Sequence, residues 1–213
     1  MSSRIRVWLA SRNAGKEREV RALLADLPIR IVSLGSLPGL RLPEEGDDYA
    51  VNAAAKALAA ARACGELALG DDSGLEVDAL GGAPGPRSAR YGGPGLDDDG
   101  RCRVLLDALR SVPLSDRTAR FVCVAALATP DGEIVTARGE CPGNILTAPR
   151  GRAGFGYDPI FGVTSDGPSL AEPLRRREAT DLPPWSCLPR PGARAARAAA
   201  RDGGRRPPAP RKR

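Results

Sequence analysis

The feature that most constrains this chain is the stretch from Leu67 to Gly74, where an apolar run of strand character ends in two adjacent aspartates, Asp71 and Asp72. Two neighbouring carboxylates repel each other unless a positive group lies beside them. At the end of a strand, that group is often a hard cation such as Mg²⁺, which binds oxygen ligands and shares them with substrate phosphates. The alternative interpretation is a solvated turn, because Asp, Ser and Gly are all common turn residues.

The residue composition excludes several kinds of chemistry. The chain of 213 residues contains no histidine, which excludes a Ser-His-Asp or Cys-His nucleophile and a histidine-ligated metal. Its five cysteines are widely spaced and include no CxxC pair, which predicts reduced thiols in a cytoplasmic protein. No apolar run approaches a membrane span and the first residues lack a signal-peptide apolar region, so we expect a cytoplasmic location.

The charge is divided unevenly along the chain. The formal net charge is +6, but residues 173–213 alone carry +9 and the preceding 172 residues carry −3. The sequence therefore predicts a mildly acidic domain over residues 1–172, long enough to bury a core. It also predicts a basic tail over residues 173–213, rich in Arg, Ala and Pro, which we expect to be disordered.

A candidate phosphate-binding loop follows the first predicted strand. Arg4–Ala10 has strand character, Ser11–Lys16 is a polar loop, and Glu17–Leu27 has apolar residues at helical spacing. The free N–H groups and partial positive charge at a helix N-terminus favour phosphate, although the spacing of a Walker A loop is absent. An ordinary helix N-cap by Ser11 or Asn13, with an exposed lysine after it, is the alternative.

An acidic cluster at Glu44–Asp48 precedes an alanine-rich helix that we predict from Tyr49 to about Cys64. Within this helix, Asn52 and Lys56 are four residues apart and therefore share one face. A helix dipole favours acidic residues before the first turn even without a function. That interpretation explains the acidic cluster but not the alignment of Asn52 and Lys56.

The rest of the pattern adds antiparallel strands to an α/β portion. A hairpin turn is indicated by Thr129-Pro130-Asp131-Gly132. The remaining predicted elements are a strand at Arg30–Leu34, a helix from Gly100 to about Val112, a strand at Arg117–Leu127, its hairpin partner at Glu133–Gly139 and a short strand at Asn144–Leu146.

A glycine-rich and aromatic segment, Pro149–Phe161, follows these strands. Its glycines would let the backbone approach a ligand closely. Tyr157 and the two phenylalanines would supply a surface on which a base could stack. The alternative is a glycine-rich hairpin with buried rings.

Four segments of the chain, taken in order, resemble the XTP/dITP diphosphatase family, also called non-canonical purine nucleotide pyrophosphatases or inosine triphosphate pyrophosphatases. They cover roughly residues 5–172, and although each is modest alone, the four in series are highly specific. The segments are Leu9–Lys16, Asn52–Ala57, Asp71–Gly85 with Ser88–Tyr91, and Gly154–Phe161.

The resemblance implies a fold and a reaction. The fold would be α/β, with a mixed twisted sheet in two lobes flanked by helices and a central nucleotide-binding cleft, usually in a homodimer. The reaction would be Mg²⁺-dependent hydrolysis of ITP, dITP or XTP to the monophosphate and pyrophosphate. Such an enzyme keeps deaminated purine nucleotides out of nucleic acid.

The resemblance also implies roles for individual residues. Asp72 would accept the proton of the attacking water with Asp71 in support, and Glu44 or Glu45 would join Asp72 near Mg²⁺. The family has a Glu at the position of Val51, so no metal role is assigned there. The residues implied to hold the nucleotide and its phosphates are Ser11, Arg12, Asn13, Ala14, Gly15, Lys16, Asn52, Lys56, Ser73, Phe155, Gly156, Tyr157 and Asp158.

The resemblance stops after Glu172. The family continues with an acidic segment ending in Lys, then Ser-His-Arg-Gly, and these residues clamp the purine. We hypothesise a one-base frameshift near this point. Asp181–Cys187 can be encoded so that reading one base later gives Ile-Ser-His-Arg-Gly-Arg, which shows that a frameshift is compatible with the sequence.

Three further possibilities remain open from the sequence. Loss of the base-recognition segment would impair the pyrophosphatase. The chain would otherwise be a related pyrophosphatase with a different base preference. Alternatively, a genuine Arg-rich tail at 173–213 would bind nucleic acid through its phosphates, and the protein would act as a nucleic-acid-binding protein.

Overall fold

The structure, a computed structural model, describes residues 4–37, 39–165 and 167–172. The frameshift hypothesis and the basic tail fall on residues 173–213 and so lie outside the described residues. None of the helices within the described ranges combines the length and the apolar character needed to span a bilayer.

One mixed sheet of seven strands runs through the described chain, in the order β2-β1-β3-β5-β6-β7 with β4 paired to β3. Strand β1 pairs in parallel with β2 and β3, whereas β3, β5, β6 and β7 pair antiparallel. This confirms the predicted α/β class with added antiparallel strands. The strands are β1 Ile5–Leu9, β2 Ile29–Ser33, β3 Ala68–Val77, β4 Pro84–Gly85, β5 Thr118–Ala128, β6 Ile134–Ile145 and β7 Phe161–Gly162.

The turn interpretation of the Asp71–Gly74 segment is wrong. Strand β3 does not end at Asp71 but continues to Val77, and it pairs with β5 from Ala68 opposite Ala128 to Val77 opposite Ala119. This ladder satisfies the backbone hydrogen bonds, so the polar side chains do not force a turn. The two aspartates therefore lie in the middle of a central strand.

The expected break between Glu133–Gly139 and Asn144–Leu146 is also wrong, because β6 is continuous from Ile134 to Ile145. Its antiparallel register with β5 runs without interruption from Thr118 opposite Asn144 to Ala128 opposite Ile134. Pro142 is tolerated because β7 pairs only with the last two residues of β6, so this part of the strand pairs on one side only.

Within the described part of the chain, three α-helices pack on the sheet, and their ends follow their capping residues. Helix α2 matches the prediction, since Asp48 caps its first turn and Gly65 adopts the left-handed conformation after its last turn. Helices α1 and α3 begin earlier than predicted, because Asn13 and Asp97 cap them. The helices are α1 Ala14–Leu23, α2 Tyr49–Cys64 and α3 Asp98–Ala108.

The alternation of side chains along the strands divides the helices between the two faces of the sheet. On β1, Val7 and Leu9 pack with α1, whereas Trp8 packs with α2, as does Ala10 just after the strand. On β5, Phe121 packs in the cluster that contains α3. Helices α1 and α3 therefore cover one face, and α2 covers the other.

Helix α2 approaches β3 very closely, which explains its alanine content. A Cβ added at Gly70 would lie 2.6 Å from the backbone nitrogen of Ala57. Ala53 and Ala57 are fully buried against the sheet at this contact. Small residues on both sides thus bring the polar face of α2, with Asn52 and Lys56, next to the aspartates of β3.

Candidate active site

Asp71 and Asp72 are both buried, with 1% and 3% of their surface exposed, yet they point to opposite faces of the sheet. Asp71 lies on the α1 face, where Lys16 donates to its Oδ2. Asp72 lies on the α2 face, where it meets Asn52 and Lys56. Each carboxylate therefore has its own positive or donor partner, and the two do not share one cation side by side.

Lys16 is the partner of Asp71. Burial opposes the charge of Lys16, but the Coulombic attraction of Asp71 and their hydrogen bond outweigh it and raise the pKa of the ammonium. The hydroxyl of Ser73 also lies 3.5 Å from Oδ2 of Asp71. Asp71 thus holds the charged Lys16 in the first turn of α1, next to the loop that precedes this helix.

Asp72 accepts a hydrogen bond of 2.8 Å on Oδ2 from the side-chain nitrogen of Asn52. Its other oxygen, Oδ1, lies 3.5 Å from Nζ of Lys56. Burial raises the pKa of Asp72, and the Asn52 hydrogen bond and the charge of Lys56 reduce this effect. A carboxylate with a raised pKa and one loosely held oxygen can accept a proton.

The side chain of Asn52 also hydrogen-bonds the acidic loop Glu44–Asp48 at Gly46. Its Oδ1 accepts from the backbone nitrogen of Gly46 at 2.8 Å, and its Nδ2 donates to the carbonyl of Gly46 at 3.0 Å. One buried amide therefore fixes both the loop and Asp72. This explains the alignment of Asn52 on the face of α2 that the helix dipole did not explain.

Glu45 and Glu44, which the sequence could not separate, differ in the structure. Glu45 lines the cleft and accepts from Nζ of Lys56 at 2.5 Å, whereas Glu44 is exposed. Burial opposes ionisation of Glu45, but its hydrogen bond to Lys56 and the charge of Lys56 outweigh burial and lower its pKa. The guanidinium of Arg90 also holds the Glu45 carbonyl at 3.1 Å.

The positive group of Lys56 lies where the carboxylates of Glu45 and Asp72 converge. Over the described ranges, no three His, Cys, Asp or Glu side chains come together as a metal cluster. Of the two glutamates expected as alternatives beside Asp72, Glu45 lines the cleft and Glu44 does not. Two converging carboxylates nevertheless fit Mg²⁺, which commonly uses one or two protein carboxylates, several waters and substrate phosphates.

The candidate phosphate loop lies between β1 and α1, and the N-cap alternative applies to Asn13. Its side chain accepts from the backbone nitrogens of Gly15 and Lys16 at 2.8 and 3.2 Å. Lys16 is not simply exposed, as the N-cap alternative implied, because Asp71 holds it. The loop residues that line the cleft are Ser11, Arg12, Asn13 and Lys16, while Ala14 and Gly15 are not among them.

The aromatic segment forms a loop that reaches α1. A Cβ at Gly15 would lie 2.8 Å from the ring of Phe155, so the absence of a side chain there makes room for this ring. Tyr157 is buried and donates to the carbonyl of Ser88 at 2.9 Å. Asp158 accepts from the nitrogen of Phe155 at 2.9 Å, and burial raises the pKa of its carboxyl to about 6.

These elements enclose a cleft of about 410 Å³. The phosphate loop and Lys16 form one part of its wall, Asp72 with Glu45 and Lys56 forms another, and the Phe155–Asp158 loop forms a third. A second cavity of about 800 Å³ adjoins it beyond Phe155 and Gly156. The arrangement suits an anionic, partly aromatic ligand that meets a proton acceptor.

Among the cleft-lining residues that the sequence did not predict, two are charged, Asp98 and Arg101 at the start of α3. Asp98 accepts from the backbone nitrogen of Gly156 at 2.7 Å and pairs with Arg101. The acidic run Asp97–Asp99 after a glycine-rich loop was the available signal for the start of this helix. No signal in the sequence indicated that this helix start would meet the aromatic loop.

A family model described as the Ham1 family matches residues 7–179. The chain belongs to the Ham1 family. The match includes every residue that lines the cleft, from Ala10 to Asp158. The family resemblance found in the sequence is confirmed.

Relatives of known name agree with the Ham1 assignment. The chain is 50% identical over 169 residues to a dITP/XTP pyrophosphatase of Desulforamulus reducens, covering 79% of this chain and 84% of that protein. It is 52% identical over 167 residues to a dITP/XTP pyrophosphatase of Deinococcus deserti, covering 78% and 77%.

Solved Ham1 structures share the fold. A HAM1 protein from Coxiella burnetii matches with a TM-score of 0.73 and 34% identity, over 94% of this chain and 100% of that chain. The Ham1 protein of Staphylococcus aureus matches with a TM-score of 0.72 and 32% identity, over 94% and 100%. The mixed α/β sheet flanked by helices is therefore the Ham1 fold.

Proposed function

We propose that this chain is a nucleoside triphosphate diphosphatase that hydrolyses ITP, dITP and XTP to the monophosphate and pyrophosphate, and so cleanses the nucleotide pool. The observation that carries the proposal is the placement of buried Asp72, held by Asn52 and Lys56, in a cleft that also contains a helix N-terminus and Lys16. The names of the Ham1 relatives support the substrate class.

The phosphates bind at the loop between β1 and α1. The N-terminus of α1 carries partial positive charge, and Lys16 adds a full charge within reach of the cleft. Because Asp71 fixes Lys16, its ammonium is already placed before substrate arrives. Ser11 and Asn13 line the same wall and supply polar side chains for the phosphate oxygens.

Asp72 accepts the proton of the attacking water. Asn52 holds its Oδ2, which leaves Oδ1 on the side of Lys56 to receive the proton. The fixed orientation lowers the entropic cost of bringing water and base together. Lys56 then stabilises the negative charge of the phosphates beside Glu45 and Asp72.

Asp72 and Glu45 would hold Mg²⁺, which neutralises charge on the phosphate oxygens of the substrate when it is bound. Their oxygen donors and their common approach to one ammonium support this assignment. Asp71 supports the site indirectly through Lys16.

The purine stacks on Phe155, whose ring lies beside the phosphate loop at Gly15. Tyr157 and Asp158 position this loop through Ser88 and the Phe155 nitrogen. Gly156 gives the base access to the backbone. The sequence resemblance assigned all four residues to nucleotide binding, and the proposal gives them three roles: stacking, loop support and backbone access.

We also propose a cytoplasmic homodimer. Among the described residues, Cys64, Cys102 and Cys123 take part in no disulfide, which supports a reducing compartment. Strand β6 pairs with β7 only at Asn144 and Ile145. The rest of β6 carries the exposed apolar residues Ile134 and Val135, which supports a self-association surface. Sedimentation equilibrium measures the mass, and a monomer at micromolar concentration would contradict the dimer.

The deciding experiment measures pyrophosphate release from dITP and from dATP with Mg²⁺, for the natural chain and for Asp72→Asn. We expect turnover of dITP to exceed that of dATP, and Asp72→Asn to lose at least ~100-fold of the activity, the scale of general-base catalysis. The matched control is Asp107→Asn, at an exposed position on α3. Equal activity in Asp72→Asn would exclude Asp72 as the base.

A further inference from the structure

Arg101 occupies a defined place in the cleft that the proposed chemistry does not use. Its side chain is only 18% exposed and lines the cleft from the first turns of α3. One end of its guanidinium, Nη1, donates to the carbonyl of Leu96 at 2.6 Å. The other end, Nη2, pairs with Oδ1 of Asp98. Two anchors at opposite ends hold the plane of the guanidinium in place.

The same carboxylate connects Arg101 to the aromatic loop. Oδ2 of Asp98 accepts from the backbone nitrogen of Gly156 at 2.7 Å, while its Oδ1 holds Arg101. Gly156 directly follows Phe155 in the chain. Burial raises the pKa of Tyr157, and the charge of Arg101 is the largest factor opposing that rise, in keeping with a guanidinium close to the loop.

Arg101 and Lys16 are linked to different parts of the aromatic loop. The ring of Phe155 lies against Gly15, next to Lys16. The following residue, Gly156, is held by Asp98 beside Arg101. A nucleotide with its phosphates at Lys16 and its base on Phe155 would lie in the same cleft that Arg101 lines, with Arg101 beside the residue that follows Phe155.

The chemistry of a guanidinium decides which bases it accepts. Arginine has five N–H donors, and the bonds to Leu96 and Asp98 use two of them, so three remain. A guanidinium pairs in a bidentate manner with two neighbouring acceptors, such as O6 and N7 of guanine. Hypoxanthine and xanthine present the same two acceptors, whereas adenine presents an amino donor in place of O6.

We propose that Arg101 is the residue that selects 6-oxopurines in this chain, by donating to O6 and N7 of the base stacked on Phe155. The inference rests on the proposed function and adds to it the residue that reads the base. Asp98 is the positioning residue, because it orients Arg101 and fixes the aromatic loop with its two oxygens. Since guanine has the same two acceptors, Arg101 rejects adenine but does not separate inosine from guanosine.

The test compares kcat/KM for dITP, dGTP and dATP in the natural chain, Arg101→Gln and Arg101→Lys. We expect Arg101→Gln to lose about 5- to 150-fold on dITP and on dGTP, the range for one bidentate base contact, with little change on dATP. Arg101→Lys keeps the positive charge but not the planar pair of donors. We expect it to lose the preference for dITP over dATP as Arg101→Gln does. Arg103→Gln, at an exposed position on the same helix, is the matched control and should keep the natural preference.

A substrate analogue provides a second readout that a structural defect would not reproduce. For the natural chain, kcat/KM should be lower for 7-deaza-dITP, which lacks N7, than for dITP. For Arg101→Gln, kcat/KM should be the same for both substrates. An unchanged ratio of dITP to dATP in both Arg101 variants would overturn the inference. So would a natural chain that turns over dITP and 7-deaza-dITP equally.

The two proposals fail in different ways. A folded natural chain that releases pyrophosphate from no purine triphosphate would overturn the proposed function. The Arg101 inference is then decided by calorimetric binding of dIMP and dAMP, which needs no turnover. A preference for dIMP that Arg101→Gln abolishes supports it, and equal binding of dIMP and dAMP to the natural chain contradicts it.

Discussion

The side-chain nitrogen of Asn52 lies 2.8 Å from Oδ2 of Asp72, across the contact between α2 and β3. The same amide makes two hydrogen bonds to the backbone of Gly46. One residue thus determines which oxygen of Asp72 remains available and where the acidic loop lies. The consequences of removing it, and of changing three other contacts, are measurable.

Asn52→Ala should lower kcat about 10- to 100-fold, because Asp72 loses its orienting hydrogen bond and the acidic loop loses its anchor at Gly46. Stability should fall by about 1.5–3 kcal/mol, as expected when a buried hydrogen bond to a charged group is removed. Steady-state kinetics and urea denaturation measure the two effects. Val51→Ala, at a neighbouring position that is 64% exposed, is the control. An Asn52→Ala enzyme with natural kcat would show that Asp72 needs no orientation by α2.

Lys16→Met should destabilise the fold by about 3–5 kcal/mol, because it leaves the buried carboxylate of Asp71 without its cation. The double variant Lys16→Met with Asp71→Asn should recover a large part of this loss, since neither member of this pair is then charged. Urea denaturation at pH 7 measures both. The exposed pair between Asp107, in the last turn of α3, and Arg110, just after the helix, offers the comparison. Arg110→Gln should change stability by less than ~1 kcal/mol. If the losses of stability in Lys16→Met and in Asp71→Asn simply add up in the double variant, Lys16 and Asp71 do not form a direct charge pair.

Glu19→Gln should stabilise the chain at pH 8 by about 1–3 kcal/mol and have little effect at pH 4. Burial raises the pKa of Glu19 to about 7, and Asp158 adds to the rise, as does Asp71, while Lys16 and Arg18 oppose it. Within the described residues, Oε2 of Glu19 is buried without a hydrogen-bond partner. A carboxyl with a raised pKa stabilises the fold below its unfolded pKa, and this contribution is lost as pH rises through about 7.

Thermal unfolding from pH 4 to pH 8 measures this effect, and Glu17→Gln is the control of opposite sign. The hydrogen bond from Arg21 lowers the pKa of Glu17, so its ionised form is favoured in the fold. Glu17→Gln should therefore give no gain at pH 8. If the thermal stability of Glu19→Gln follows that of the natural chain in parallel from pH 4 to pH 8, the pKa of Glu19 is not raised in the fold.

Gly70→Ala should destabilise the chain by about 1–3 kcal/mol and lower kcat as well, because α2 must move away from β3 to admit the methyl group. The added Cβ would lie 2.6 Å from the backbone nitrogen of Ala57, one residue after Lys56. Gly35→Ala is the matched control, since its Cβ would meet nothing closer than 3.8 Å. Denaturation and dITP turnover would show whether stability and activity fall together. A Gly70→Ala chain with natural stability would contradict the close packing.

The elements that the sequence predicted best have strong local signals at both ends. Helix α2 has an Asp48 cap, an alanine-rich body and Gly65 at its end, and its bounds are confirmed. Strand β5 begins and ends one residue later than predicted. The starts of α1 and α3 were placed too late. Asn13, which was one of two candidate caps, sets the start of α1, and Asp97, which was not considered as a cap, sets the start of α3.

The predictions that failed depended on pairing between distant segments. Local turn residues favoured an end to β3 at Asp71, but the ladder with β5 carries the strand onward to Val77. Pro142 and its glycine neighbours favoured a break in β6, but β5 pairs with it along its whole length. Long-range backbone hydrogen bonding overrode turn propensity in both places.

The sequence by itself determined the kind of chemistry, through residue types in a specific order: two aspartates, a polar loop before a helix, an amide four residues before a lysine, and a glycine-aromatic segment. The tertiary structure alone decided the partners. Strand alternation sends Asp71 to Lys16 and Asp72 to Asn52, and the packing of α2 brings Glu45 rather than Glu44 to Lys56. Spacing along a chain defines which face a side chain occupies, but the group that meets it there depends on which helix packs on that face.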